Sequence, residues 1–170
     1  MKMFVLKLRC RSPTVVGYLR QAETTTIDIG RSMKIAKDVL LEFFRKMHRW
    51  EVNGLKLVNE KGMEPVRDEL REQLIKIYDE FLAKPGGKFG RLAGPNVGYP
   101  PEYDEQHEDI LSIDDTNPKK VIVATLWRHP TVPDFTREQK YTLFRKNDEW
   151  RIVKKEAFRP TANKWENSVF

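Results

Sequence analysis

"YTLFRKNDEWRIVKKEAF", residues 141–158, decides how this chain folds. Tyr141, Leu143 and Arg145 alternate with Thr142 and Phe144, the period-two pattern of a strand. Lys146-Asn147-Asp148-Glu149 is polar and turn-prone, after which Trp150 and Ile152 alternate against Arg151 and Val153. The stretch predicts a β-hairpin with one apolar face. Such a hairpin is not stable alone and needs a covering layer.

The cover lies upstream. After Ser32, a candidate N-cap, the apolar residues Ile35, Ala36, Val39, Leu40, Phe43, Phe44, Met47 and Trp50 recur at helical spacing. Lys37, Asp38, Glu42, Arg45, Lys46 and Arg49 stay largely off that stripe. The helix should end near Asn53 or Gly54, with "LKLV" either continuing it or forming a short strand. "EPVRDELREQLIKIYDEFL" predicts a second helix, with Pro65 in the first turn and a stripe of Val66, Leu70, Leu74, Ile77, Tyr78 and Phe81.

"KPGGKFGRLAGPNVGYPP" then reads as a loop and lacks the pattern of a phosphate cradle. "EQHEDILSID" and "KKVIVATLWRH" read as strands joined through Asp115-Thr116-Asn117-Pro118. The nearly unbroken apolar run from Val121 to Leu126 suggests a central strand covered on both faces. Trp165 and Phe170 in the tail are expected to pack back or to serve a partner. Two helices followed by at least four mainly antiparallel strands define an α+β, cone-like fold, a curved sheet on N-terminal helices.

Residues 1–32 stand apart, either as an extension or as a strand pair from "MFVLKL" and "TVVGYLR", and residues 33–170 form the single domain. The opening "MKMFVLKLRC" is broken by Lys7 and Arg9 and no small-residue cleavage site follows, so a cytoplasmic protein is expected. Cys10 is the lone cysteine, and no Cys/His spacing suits zinc. No run is long and apolar enough for a membrane span, and no cofactor is expected. The net charge of +6 is segregated: residues 86–118 hold seven carboxylates against two basic side chains, a local net of −5.

The helix pair, the loop and the closing Tyr141-x-Leu143-x-Arg145, polar turn, Trp150-Arg151-Ile152 resemble the nuclear transport factor 2-like superfamily over residues 34–158. "AKDVLLEFFRKMHRWEVN" is more narrowly similar to bacterial immunity proteins of that fold from polymorphic toxin systems. The resemblance implies a protein that binds a cognate toxin and blocks it stoichiometrically, without catalysis.

Candidate partner-binding residues are the acidic block Glu102, Asp104, Glu105, Glu108, Asp109, Asp114 and Asp115, with Tyr99 and Tyr103 as aromatic anchors. A solvated strand edge explains the same charges without a partner. The alternative function is a small-molecule isomerase, dehydratase or ligand binder using the cone, lined by His107, Asp109 and Tyr141. The basic residues Arg145, Lys146, Arg151, Lys154, Lys155 and Arg159 are interspersed with Asp148, Glu149 and Glu156. That mixture suits a solvated hairpin face better than a nucleic-acid surface. Pairing of two copies is left open.

Overall fold

The computed structural model describes residues 15–83, 90–132 and 134–170, with side chains from Ala36 onward except Gly90. Helix α1 spans Val15–Lys61, α2 Met63–Phe81 and the single-turn α3 Gly90–Ala93. Strands β1 Glu108–Asn117, β2 Lys120–Arg128, β3 Thr136–Lys146, β4 Glu149–Arg159 and β5 Lys164–Ser168 follow. They form one antiparallel sheet in the order β1-β2-β3-β4-β5. The α+β expectation holds, with a fifth strand drawn from the tail.

Helix α1 differs from the sequence expectation at both ends. It already runs through Val15, so Ser32 is not a cap and residues 15–20 are helical rather than a strand; "MFVLKL" lies outside the described residues. It also continues through Gly54 and "LKLV" to Lys61. Gly54 is there for space: a Cβ would lie 2.8 Å from Val97 Cγ1 and 3.0 Å from Leu70 Cδ2. The helix stops at Gly62, whose φ of 80° is left-handed and whose N–H closes on the Val58 carbonyl at 2.8 Å.

Helix α2 lies against α1, buries Val66, Leu70, Leu74, Tyr78 and Phe81, and receives the Trp50 indole N–H on the Leu70 carbonyl at 3.0 Å. The sheet's inner face supplies Val121, Val123, Tyr141, Leu143, Trp150 and Ile152 to the same core. Strand β2 is interior to the sheet, but Ile122, Ala124 and Leu126 on its other face are only half-buried, so the expected two-sided cover is not what its apolar run reflects.

The β3–β4 hairpin closes through Asn147 and Asp148, both left-handed at φ 51° and 62°, as a two-residue loop requires. One irregularity matters more. Thr142 pairs with Lys154 but Leu143 pairs with Ile152, leaving Val153 as a bulge. The extra residue reverses the inside–outside phase, so Lys155, not Lys154, turns into the core. Beyond β5, Phe170 packs edge-on to Phe43 at 6.0 Å, and its carbonyl accepts the Tyr78 hydroxyl at 2.8 Å.

Candidate functional site

Residues 98–107 lead from the α3 region past α1 into β1. Tyr103 pins this segment: its ring is 1% exposed and meets Phe43 at 5.4 Å and Phe44 at 5.8 Å. Its N–H donates to Glu51 Oε2 at 3.1 Å, and His48 donates Nδ1–H to its carbonyl at 2.9 Å. Helix periodicity delivers both partners, since Glu51 follows Met47 by four residues on the buried stripe and His48 flanks it.

Behind Tyr103 lies a buried ion network. Arg91 donates Nη2–H to Glu51 Oε1 at 2.5 Å and to the Asn96 carbonyl at 3.2 Å, with its guanidinium 5.5 Å from the Trp50 ring centroid. Its Nη1 stands 4.0 Å from Glu102 Oε2. Lys155, 2% exposed, donates Nζ–H to Glu102 Oε1 at 2.6 Å and to the Tyr103 hydroxyl oxygen at 3.0 Å. Thr125 on β2 donates its hydroxyl to Glu108.

Burial and charge compete at each group. Burial pushes the Glu51 carboxyl up, and Arg91 with the Tyr103 N–H offsets that only in part. At Glu102 burial acts upward too, but Lys155, then Arg91 and Arg137, outweigh it and hold the carboxyl below its usual range. Burial lowers Lys155 more than Glu102 restores it. Glu108 is pushed up to about 7 by burial, against the opposing Thr125 hydrogen bond and Lys155 charge.

On the outside, Tyr99 is 75% exposed and borders a largely apolar groove of about 420 Å³ with Val52, Leu55, Lys56 and Glu60 of α1. Next to it, Arg45, His48 and Arg49 face Asp104, Glu105 and Gln106 across a second groove of about 360 Å³. Arg45 Nε donates to Glu105 at 3.1 Å, and Asp104 accepts the Gln106 N–H at 2.9 Å.

The sequence candidates therefore separate. Tyr99, Asp104 and Glu105 come together beside α1. Asp109, Asp114 and Asp115 lie on the edge strand β1, Asp109 paired with Arg128 at 2.9 Å and Asp114 capping the Thr116 N–H at 3.1 Å. Glu102 is turned to Lys155, while Tyr103 and Glu108 are inside, so these last two present nothing to a partner. The alternative trio does not converge. Tyr141 is fully buried with its hydroxyl donated to Gln139 at 2.7 Å, and Asp109 is exposed. His107 stands in the turn before β1, not on its face. Among the described residues no His, Cys, Asp and Glu group is placed to hold a metal.

Glu51, Arg91 and Lys155 were not among the sequence candidates. Glu51 had a signal, a lone carboxylate on an apolar helix stripe. Arg91 lay in a glycine-rich loop with no periodicity to place it. Lys155 was assigned to a solvated hairpin face because nothing in "RIVKKEAF" marks the bulge.

A helix pair under a curved meander, with its charged loop held from inside, defines a scaffold of the NTF2 kind. Residues 35–168 match the NTF2 fold immunity proteins, and the chain belongs to that family. It is 35% identical to Immunity protein RhsIA of Dickeya dadantii (strain 3937) over 130 residues, 76% of this chain and 92% of the relative. No solved structure matches the chain significantly. Among the described residues no helix is long and apolar enough to cross a membrane.

Proposed function

We propose that this immunity protein neutralises a cognate toxin in the cytoplasm by stoichiometric occlusion, docking it on residues 98–107 and the β1 edge and performing no chemistry itself. The observation that carries the docking face is the position of Asp104, Glu105, Asp109, Asp114 and Asp115 along one loop and one edge strand, with the exposed ring of Tyr99 beside them. Carboxylates gathered on one edge of a chain of net charge +6 steer a basic surface toward that edge, and an exposed aromatic beside an apolar groove supplies an anchor.

The interior supports a binding role over a catalytic one. Phe43, Phe44, Tyr103 and Tyr141 contact one another across the space between sheet and helices, and the polar groups there are engaged mostly with each other. Blocking a toxin requires only a rigid surface of roughly 800 Å² per partner.

The test is association with the cognate toxin, expected to be the product of the gene immediately upstream, measured over a range of salt. Replacing Asp104, Glu105 and Asp109 by their amides should slow association about tenfold at low salt and far less at high salt. Tyr99→Ala should instead speed dissociation. Unchanged rates in both variants would reject the docking face.

A further inference from the structure

We infer that Glu51, Arg91, Glu102 and Lys155 are positioning residues: together they clamp residues 96–107 in the conformation that presents Tyr99, Asp104 and Glu105 to the toxin. This rests on the docking face proposed above. The segment has little regular structure of its own, apart from a turn at Glu105-Gln106. What fixes it is contact from beneath. Arg91 holds the Asn96 carbonyl, Glu51 holds the Tyr103 N–H, and Lys155 holds both the Glu102 carboxylate and the Tyr103 hydroxyl.

The four charges come from α1, α3, the loop itself and β4, and they join as two hydrogen-bonded pairs, Glu51 with Arg91 and Glu102 with Lys155, linked by Arg91 and Glu102 at 4.0 Å. A buried ion network is a poor source of stability, because apolar side chains of similar volume often serve as well or better. What charges provide and apolar side chains do not is a requirement for one geometry. Here that geometry belongs to the loop. Tyr99 lies four residues from Tyr103 and three from Glu102, and Asp104 and Glu105 follow Tyr103 directly, so each surface group is a short tether away from a clamped residue. His48 and Arg45 grip the same segment from the α1 side, at the Tyr103 carbonyl and at Glu105. Pre-organising a binding loop in this way lowers the ordering cost of association.

A rival explanation is that the Tyr103 ring, wedged between Phe43 and Phe44, positions the loop alone. Two variants leave that ring in place. Glu102→Gln combined with Lys155→Met removes a charge pair without leaving a lone charge, though the Tyr103 hydroxyl loses its Lys155 donor, and Glu51→Gln removes one charge while keeping an oxygen for the Tyr103 N–H. Each is measured in two ways: hydrogen exchange of the Tyr103, Gln106 and His107 amides in the free protein, and binding to the same cognate toxin. The clamp predicts exchange at those amides faster by about tenfold, with protection in α2 and β3 unchanged, and affinity for the toxin weaker by about tenfold. If the double variant does not fold, Glu51→Gln decides alone. Unchanged loop exchange overturns the clamp, as does faster loop exchange with undiminished affinity. If Tyr99→Ala and the amide variants of Asp104 and Glu105 bind normally, the docking face itself has failed, an outcome distinct from either of these.

Discussion

At the scale of single residues, Glu108 shows how burial rather than sequence neighbours sets chemistry. It belongs to an acidic run, but β1 turns it inward opposite Trp127 and beneath the Thr125 hydroxyl, while Asp109 beside it remains in water. Burial raises its carboxyl to about 7, so the folded chain holds a proton that the unfolded chain has released at the same pH. The native state therefore binds more protons through the interval from the ordinary carboxylate range up to about 7, and its stability falls as pH rises through that interval. The cost reaches about 3 kcal/mol at most above it. Glu108→Gln should abolish this component, so that denaturant midpoints of the variant and the parent converge toward about pH 4, below the ordinary carboxylate value, and separate, with the variant the more stable, by about pH 8. Parallel profiles would contradict the assignment.

At the scale of elements, two local features govern the packing. Glycine inside a helix ordinarily costs about 1 kcal/mol relative to alanine. Gly54 reverses that rule, because Val97 and Leu70 fill the space a side chain would need. Gly54→Val should lower stability by roughly 1–3 kcal/mol in thermal or denaturant unfolding, through overpacking rather than helix propensity. The Val153 bulge is the second feature. Deleting Val153 makes the pairing of β3 with β4 regular while Ile152 and Lys155 still point inward and Lys154 outward. The variant should therefore fold and keep the loop protection described above, as read by hydrogen exchange, and loss of that protection would contradict the assignment of Val153 as the bulge.

These two elements also mark where the sequence was legible. Apolar periodicity predicted α2 within a residue at each end and both strands of the closing hairpin, because each buries one continuous face. It left the continuation of α1 past Gly54 open, since a glycine chosen for close approach looks the same as a glycine chosen to stop a helix. It started the first strand at Glu105, three residues before β1 begins, because alternation has no term for a turn at Glu105-Gln106, and it left Lys155 outside because a bulge changes phase without changing composition. Charge and aromatic content alone nominate Tyr99, Asp104 and Glu105 as candidates. Their supports were not nominated as such, because those are brought together only by the tertiary fold.

At the scale of the whole molecule, the helix pair and the five-stranded meander make a core of Phe, Tyr, Trp and Leu side chains, and the tail returns to it through β5 and Phe170. Of its segregated acidic charge, Asp104, Glu105, Asp109, Asp114 and Asp115 lie at the periphery, while Glu102 and Glu108 turn toward the interior. Occlusion by such a body is an equilibrium with a fixed ratio, whereas an enzyme acting on the toxin or its product turns over. The most direct measurement is the activity of the cognate toxin titrated against this protein at concentrations well above their dissociation constant. Residual activity should fall in a straight line and reach zero at one equivalent. Full loss of activity at a small fraction of an equivalent, deepening with incubation time, would contradict the account.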